Sequence, residues 1–301
     1  MVSGVATGLV ADRLFGEPPA AVHPVVAFGR VMRVVERRLY RDSRGAGVAH
    51  ALIGAGLGAA AGGLVGSAAL ATWVAVAGRA LGAAATAVGD ALDAGDLDRA
   101  RALLPALVGR DPSALDEKEI ARAVVESVAE NTVDAVVAPA LWAAVAGAPG
   151  ALGYRAVNTL DAMVGHRSAR YQKYGWASAR LDDLAGWAPA RVTAALVAGV
   201  RPATARSVWT AVGIQAPAHP SPNAGVAEAA FAAALGLRLG GENRYGDRVE
   251  LRPPLGTGRP AEPGDIARAV VLSRDVSVAL GAFCVVISTF SPHFTTRNAP
   301  R

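Results

Sequence analysis

The sequence predicts an all-α, multi-pass integral membrane protein with cytoplasmic helical segments between its spans. Of its 301 residues 52% are hydrophobic and only 18% are charged, and the mean hydropathy is +0.31. An ordinary soluble domain is about a quarter charged. Long runs lack charge entirely, and the alternating pattern of strands is almost absent. The 34 glycines favour closely packed helices of the kind found in bilayers.

The first candidate span is the run 51–78, which has no charged side chain. It exceeds the roughly 20 residues that cross a bilayer as a helix. A buried Ala-rich helix of a soluble bundle and a helical hairpin over 51–89 are the alternatives. A basic flank precedes the run and predicts a cytoplasmic side. Its members are Arg30, Arg33, Arg37, Arg38, Arg41 and Arg44.

Two further candidate spans follow within what we interpret as a single domain, 1–301. The run 135–154 contains two prolines and is predicted to be a broken or re-entrant span. The run 276–296 would close the chain with a final span. Between them, 238–265 is rich in glycine and proline, which predicts an irregular loop or a short hairpin.

The charge distribution argues against a nucleic-acid partner. The chain has 30 basic and 25 acidic residues, a formal net charge of +5, and the two signs are interleaved along most of the sequence. A nucleic-acid-binding surface concentrates basic side chains on one face. The single cysteine, Cys284, cannot form an internal disulfide.

The most informative segment is 120–141. Arg122, Glu126, Glu130 and Asp134 recur every four residues, which places them along one slowly drifting stripe of a valine-rich helix. Carboxylates in apolar surroundings must be paired, hydrogen-bonded or bound to a cation. Hard oxygen ligands suit Mg²⁺. The alternative is a solvated stripe on an amphipathic helix.

A second polar segment begins at Tyr154. Arg155, Asn158 and Asp161 are three residues apart and share one helix face. Farther along, Asp182 and Asp183 point about 100° apart on a helix. They are therefore expected to serve a ligand and a neighbouring arginine separately, rather than to chelate one ion together; helix-capping ion pairs are the alternative.

A third candidate site is the segment 219–225, which precedes a strong helix former. Ser221 or Asn223 can cap that helix, and the backbone N–H groups at its start would then face a phosphate. As a lone motif this is weak, and capping alone explains the pattern.

Taken together, these segments resemble the CobD/CbiB family from about residue 8 to 275. The motifs that carry the resemblance are Asp12, Gly16-Glu17-Pro18, His23-Pro24, GRDPSALDEKEIARAVVESVAENTVDAVVAPAL from Gly109, NTLDAMVGH, ARLDDLAGWAPARVT and SPNAGVAEAAFAAALGLRLGG. His166 stands where the family usually has tyrosine, and Glu17 where aspartate is frequent. These departures leave every acidic position of the central motifs in place.

The resemblance implies a role in cobalamin biosynthesis. Members are membrane-bound adenosylcobinamide-phosphate synthases, which join the propionate carboxylate of adenosylcobyric acid to (R)-1-amino-2-propanol or its O-phosphate. Such a ligase needs Mg²⁺ and ATP, and the sequence has no Walker-type loop. It is expected in the cell membrane, with its active segments facing the cytoplasm, where ATP is present. Homo-oligomers and complexes with other cobalamin-pathway enzymes are compatible with this interpretation.

The roles that follow from the resemblance are hypotheses about individual residues. The expected metal ligands are Glu126, Glu130, Asp134 and Asp161. The residues expected to bind nucleotide or phosphate are Arg122, Asn131, Arg155, Asn158, Arg180, Ser221 and Asn223. The residues expected to act in catalysis are Glu126, Glu130, Asp182 and Asp183, of which Asp182 or Asp183 would accept the proton of the attacking ammonium.

Two alternatives come from other functional classes. A membrane sensor of the AmpE type would be expected to lack the NTLD and SPN segments together, and both are present. A small transporter would be expected to show two-half symmetry in its hydropathy, and none is visible. Release of ADP that requires both the corrinoid and the amine distinguishes the ligase from both.

Overall fold

Helices make up most of the computed structural model, which describes residues 2–19, 21–166, 168–245 and 248–290. The all-α class predicted from the sequence is confirmed. The helices are α1 (Val2–Phe15), α2 (Pro24–Leu39), α3 (Arg44–Val65), α4 (Ala68–Ala75), α5 (Gly78–Asp93), α6 (Leu97–Leu103), α7 (Glu117–Thr132), α8 (Ala138–Leu160), α9 (Trp176–Val200), α10 (Ala205–Ile214), α11 (Ala224–Leu235) and α12 (Gly264–Phe290). Two π-helical turns follow α7 and α8, at Val133–Val137 and Asp161–Gly165. Short 3₁₀ turns lie at Leu104–Ala106, Pro202–Thr204 and Ala216–Ala218.

Within the described residues, 4 helical segments are long and apolar enough to cross a membrane. They are Arg44–Val65, Ala68–Asp93, Glu117–Gly165 and Gly264–Thr289. A helix of about 20 apolar residues matches the thickness of the bilayer core. The architecture is therefore that of a multi-pass, all-α membrane protein.

The charge-free run 51–78 is divided among three helices. Gly66 ends α3 in the left-handed conformation, with φ 65°, where glycine has no steric penalty. The hydroxyl of Ser67 then accepts from the Leu70 amide at 3.3 Å and caps α4. After α4 ends, α5 starts at Gly78, so a C-cap glycine and an N-cap serine interrupt the apolar run.

Small residues let α3 lie close against α8. Gly54, Gly58 and Gly62 are spaced by four residues, and all three are buried against α8. A methyl group at Gly62 would overlap the carbonyl of Ala148. This is the close approach of helix backbones that small residues permit in membranes.

The run 135–154 is interrupted, as its prolines predict. Ala146 has non-helical torsions, and Gly147 takes a positive φ of 65°, so α8 changes direction there. The last predicted span, 276–296, coincides with the second half of α12 up to residue 290. Its residues 291–296 lie outside the described part of the chain.

The segment 238–265 forms the short hairpin that the sequence left open, followed by the start of α12. Strand β1 (Leu237–Tyr245) pairs antiparallel with β2 (Arg248–Leu255), and β3 (Arg259–Pro260) lies parallel on its other side. A bulge near Gly240 and Gly241 bends β1. Buried leucines from both long strands fix the hairpin against α11.

Candidate active site

A cavity of about 820 Å³ collects most of the acidic residues predicted from the sequence. We call it the acidic cavity. It lies between the two π-helical turns, the first half of α9, the start of α11 and strand β2. The predicted site residues in its wall are Glu130, Asp134, Asp161, Asp182, Asp183, Ser221 and Asn223.

The π-helical turns place two of these carboxylates. Asp134 lies in the turn that continues α7, and Asp161 opens the turn that follows α8. A π turn holds an extra residue, so it rotates the side chains that follow relative to a regular helix, and such turns are frequent at functional sites. Both aspartates are half-buried because part of their surface faces the cavity.

Asn158 links carboxylates from two elements. Its Nδ2 donates to Asp134 Oδ2 at 3.3 Å and to Asp182 Oδ1 at 3.3 Å. The hydroxyl of Tyr154 donates to the other oxygen of Asp134 at 3.3 Å. Neutral donors therefore hold the carboxyl groups of Asp134 and Asp182 in place.

The cavity has more acidic than basic side chains in its wall. In the described part of the chain, no basic side chain forms an ion pair with Asp134, Asp161 or Asp182. Burial, with the nearby charges of Asp134 and Asp161, raises the pKa of Asp182 to about 8. Burial also raises the pKa of Asp183, which Arg180 at 3.5 Å partly offsets. A cation is the natural complement of this arrangement.

The donor set suits Mg²⁺ bound together with a nucleotide. Within the described ranges no three acidic, histidine or cysteine side chains converge into a preformed metal cluster. Mg²⁺ that accompanies a nucleotide commonly takes one or two carboxylates, water and phosphate oxygens rather than an all-protein cage. Asp134 and Asp161 offer hard oxygen atoms without a competing basic side chain, so these residues fit such an ion.

Glu126 and Glu130 have other partners. Glu126 Oε2 accepts from Arg110 Nη2 at 2.6 Å, and Oε1 accepts from the Gly240 amide at 2.9 Å, which ties α7 to the hairpin. Arg110 also donates to Asn243 Oδ1 at 2.8 Å. The carboxyl of Glu130 lies near that of Glu228, which is 4% exposed on α11. Glu126 is therefore paired with a cation, whereas the neighbour of Glu130 is another carboxyl group.

Several predicted phosphate-binding residues lie away from the acidic cavity. Arg122 donates to the carbonyls of Gly240 and Glu242 on the hairpin. Arg155 lines a small apolar pocket between α2, α3 and α8. Asn131 donates to the Ser127 carbonyl of its own helix at 2.9 Å. The residues of the predicted stripe on α7 therefore have different environments. Arg122 contacts the hairpin, whereas Asp134 lines the acidic cavity.

Arg180 lines a neighbouring opening of about 730 Å³ that shares Asp183, His166 and Pro220 with the acidic cavity. Trp176 and Tyr171 also line this opening, and Trp176 is 41% exposed. Arg180 is thus at the edge of the site rather than inside it.

The hydrogen bonds before α11 show which side chain caps that helix. The hydroxyl of Ser221 accepts from the Asn223 amide at 3.3 Å and from the Ala224 amide at 3.1 Å. The side chain of Asn223 instead donates to the Asp183 carbonyl at 2.8 Å and accepts from Arg191 at 3.3 Å. Ser221 therefore caps the helix, while Asn223 joins it to α9.

Sequence reasoning missed a group of residues beside Glu130. Glu228 lies 3.5 Å from His219 Nε2, and Arg252 Nη1 lies 2.6 Å from the same nitrogen. An arginine can only donate, so Nε2 accepts and Nδ1 carries the proton toward the Ser221 carbonyl at 3.1 Å. Burial and Arg252 lower the pKa of His219, which keeps the ring neutral. In the sequence, Glu228 could have been recognised as the one acidic residue of an apolar helix. No comparable sequence feature marks Arg252.

The N-terminal motif supports the helix framework. Asp12 Oδ2 accepts from the Arg79 amide at 3.1 Å and so caps α5. His23 caps α2 through the Val25 amide at 3.2 Å and lies 3.4 Å from Glu17. These contacts give the motif a structural role away from the acidic cavity.

Comparison with known proteins agrees with the resemblance seen in the sequence. The CobD/Cbib protein family model matches residues 5–273. A "Cobalamin biosynthesis protein CobD" of Mycobacterium tuberculosis (strain ATCC 25618 / H37Rv) is 48% identical over 297 residues, which cover 94% of this chain and 95% of the relative. A protein of the same name from Geobacter metallireducens is 42% identical over 302 residues, with 94% and 93% covered. No solved structure matches the chain. The chain therefore belongs to the CobD/CbiB family of cobalamin biosynthesis proteins.

Proposed function

We propose that this chain is a membrane-bound ligase that forms an amide bond in cobalamin biosynthesis. Its substrates would be adenosylcobyric acid, ATP, and (R)-1-amino-2-propanol or its O-phosphate, and its product adenosylcobinamide or its phosphate. The family assignment supports the pathway. The observation that carries the chemistry is the acidic cavity, whose aspartates 134, 161 and 182 have no basic partner in the described chain.

Asp134 and Asp161 are the best candidates to hold Mg²⁺. Both line the cavity and have no basic partner within the described chain. Glu126 is a weaker candidate than the sequence suggests because its charge is paired with Arg110 and it does not line the acidic cavity. When bound, Mg²⁺-ATP would supply the phosphoryl group that activates a carboxylate toward an amine. Arg180, at the cavity edge, would neutralise phosphate charge.

Asp182 is the better candidate for the base that deprotonates the ammonium group. Its pKa of about 8 lies near neutral pH, where a general base works best. Asn158 fixes one of its oxygens by donating to it at 3.3 Å. Asp183 is less suited because it pairs with Arg180 and is partly exposed. The proton would pass from the ammonium nitrogen to a carboxylate oxygen of Asp182, which leaves a neutral amine.

The N-terminus of α11 would help to bind phosphate at the cavity wall. Ser221 and Asn223 both line the cavity, and the helix start presents backbone N–H groups with a partial positive charge. Ser221 already uses its hydroxyl oxygen to cap the helix, so its O–H remains able to donate to a phosphate oxygen.

A membrane location suits this chemistry. Four apolar helical segments are available to cross the bilayer, and a bulky corrinoid has an amphipathic rim that can lie at a lipid surface. We place the acidic cavity on the cytoplasmic side, because ATP is present there. The exposed arginines around α2 agree with this orientation.

Mass spectrometry of products tests the proposal. The purified, detergent-solubilised chain is incubated with Mg²⁺-ATP, adenosylcobyric acid and 1-amino-2-propanol, with and without its O-phosphate. We expect a corrinoid heavier by one condensed amine, with ADP released only when corrinoid and amine are both present. Absence of product with either amine, from protein shown to be folded, would contradict the ligase and favour a sensor or transporter.

A further inference from the structure

Arg155 is a charged residue of α8 whose guanidinium has no partner among the described residues. It lies inside the segment Glu117–Gly165, which is long and apolar enough to cross a membrane. Its Nε is buried and forms no hydrogen bond, and within the described ranges its side chain forms no ion pair. It does not line the acidic cavity. The site described above therefore gives this arginine no function.

An arginine in this position is costly to keep. A guanidinium retains its charge in proteins, so burial does not neutralise it. Charged groups inside membrane-spanning segments almost always pair with another group, or else a long side chain extends its head to the water at the interface. The second solution leaves the nitrogen atoms hydrated, whereas Nε of Arg155 is shielded from solvent. An anion from outside the chain is thus the partner that fits.

The side chain of Arg155 borders a narrow groove between α2, α3 and α8, which we call the Arg155 groove. Its walls are mainly apolar and include Val25, Phe28, Leu57 and Leu152. Leu57 is 43% exposed, so the groove opens on the outer surface of the helices. Its volume is about 70 Å³, or about two water molecules at roughly 30 Å³ each. The groove is therefore too small for a nucleotide or a corrinoid, but it can receive part of a hydrocarbon chain.

The electrostatics of the groove favour a negative ligand. Among the residues that the structure describes, no acidic side chain lines it. Pro24 and Val25, the first two residues of α2, are part of its wall. The N–H groups at the start of a helix carry a partial positive charge, which adds to the charge of Arg155. The hydroxyl of Thr159, also in the wall, already donates to the Arg155 carbonyl at 2.7 Å.

We infer that the Arg155 groove binds an anionic glycerophospholipid, whose phosphate pairs with the guanidinium while an acyl chain packs against the apolar walls. An amphiphile satisfies both the charge and the apolar surface, whereas a free phosphate would leave the apolar walls exposed to water. A zwitterionic lipid would bring its own cation toward a site that is already positive. The Arg155 groove shares no lining residue with the acidic cavity, so the inference is independent of the proposed ligase.

Thermal unfolding of the full-length, detergent-solubilised chain with added lipid tests the inference. A ligand that binds the folded state raises Tm with its concentration. The probes are phosphatidylglycerol, phosphatidylcholine with the same acyl chains, and inorganic phosphate. The buffer contains about 0.15 M salt, where exposed charges are screened beyond about 8 Å. We expect phosphatidylglycerol to raise Tm of the wild-type chain to a plateau, and the other two probes to leave it almost unchanged.

Two matched pairs of variants locate the effect. Arg155→Gln removes the charge, so the phosphatidylglycerol concentration that gives half of the Tm shift should rise about tenfold or more. Arg33→Gln makes the same change at an exposed position of α2 and should keep the wild-type response. Ala61→Phe places a large side chain in the groove and should weaken the response. Ala60→Phe makes that change at a neighbouring exposed residue that does not line the groove, so its response should match the wild type.

The outcomes that contradict the lipid site are distinct from those that contradict the ligase. Equal shifts with the two lipids, no shift with either, or an equal rise with inorganic phosphate would overturn the inference in the wild-type chain alone. An unchanged response in folded Arg155→Gln would do the same. If that variant does not fold, equal responses of Ala61→Phe and Ala60→Phe would reject the groove. These measurements use neither ATP nor corrinoid, so a chain that makes no corrinoid product can still pass them.

Discussion

The side-chain amide of Asn158 lies 3.3 Å from Asp182 Oδ1, and the same nitrogen lies 3.3 Å from Asp134 Oδ2. One neutral donor thus joins α8 both to α9 and to the π-helical turn after α7. Without it, two carboxylates on different elements would repel each other across the cavity. Asn158 is therefore a positioning residue for both.

Replacement of Asn158 by alanine should lower kcat of the proposed ligase by about 10- to 100-fold, the range typical of groups that orient metal or catalytic ligands. The physical reason is the loss of the Asn158 hydrogen bond that holds one carboxyl oxygen of Asp182. Steady-state kinetics of product formation measures the effect. Thr159→Ala is the control, because its hydroxyl donates to the Arg155 carbonyl of the same helix and Thr159 does not line the acidic cavity. Equal kcat in both variants would contradict a positioning role.

Asp134→Asn should raise the Mg²⁺ concentration that gives half-maximal activity by about tenfold or more. The substitution removes a charged oxygen ligand but keeps the side-chain volume, so hydrogen bonding from Tyr154 can persist. Titration of activity with Mg²⁺ at saturating ATP gives the value. Asp90→Asn, at an exposed position of α5, should leave the Mg²⁺ curve unchanged. If the Asp134 variant also follows the wild-type curve, the metal binds elsewhere.

The sequence was sufficient to predict the helical membrane class and to single out most of the acidic residues that line the cavity. Charges at four-residue intervals in an apolar helix are costly unless they meet partners, so Glu126, Glu130 and Asp134 stand out without a structure. A three-residue spacing with Arg155 and Asn158 singled out Asp161, whereas the role expected of Asp182 came from the family resemblance. A charged residue inside an apolar segment is therefore a feature that can be recognised from the sequence alone.

The positions of individual side chains were harder to predict from the sequence. Three four-residue steps along a regular helix rotate a side chain by about 120°, so Arg122 and Asp134 face different directions, and the π-helical turn at Val133–Val137 changes the direction of Asp134 further. Arg122 finds its partners on a hairpin that is 118 residues distant in the sequence at Gly240. That hairpin contains a bulge at Gly240 and Gly241, which hides the alternation typical of strands.

The raised pKa of Asp182 predicts how stability changes with pH. Between its ordinary pKa of 3.8 and about 8 the folded chain holds a proton on Asp182 that the unfolded chain releases. Stability must therefore fall as pH rises through this window. We expect wild-type Tm to decrease between about pH 6 and 8.5, and Asp182→Asn to show a flatter profile, because asparagine does not titrate. The slopes of the unfolding free energy against pH should differ between the two proteins by up to about 1.4 kcal/mol per pH unit. Parallel Tm profiles would contradict the raised pKa.

The buried ion pair between Arg110 and Glu126 should matter far more to stability than an exposed pair. Both side chains are less than a tenth exposed, and their atoms are 2.6 Å apart. Arg110→Gln leaves a buried carboxylate without its cation, which costs about 3–5 kcal/mol of unfolding free energy. Lys173→Gln breaks a pair with Asp42 whose side chains are 59% and 56% exposed, and it should cost about 1 kcal/mol or less. Denaturation in matched detergent compares them; similar losses would contradict the difference in burial.

Two adjacent glycines of α3 offer a test of its packing against α8. A methyl group at Gly62 would overlap the Ala148 carbonyl, whereas one at Gly63 would meet nothing within 4 Å. Gly62→Ala should therefore lower the unfolding free energy by about 1–3 kcal/mol, the usual cost of overpacking. Gly63→Ala should be neutral or stabilising, since alanine favours a helix by about 1 kcal/mol over glycine. Both variants receive the same chemical change, so thermal unfolding in one detergent isolates the helix contact. Equal Tm values for the two would mean that α3 and α8 are not in close backbone contact in the folded chain.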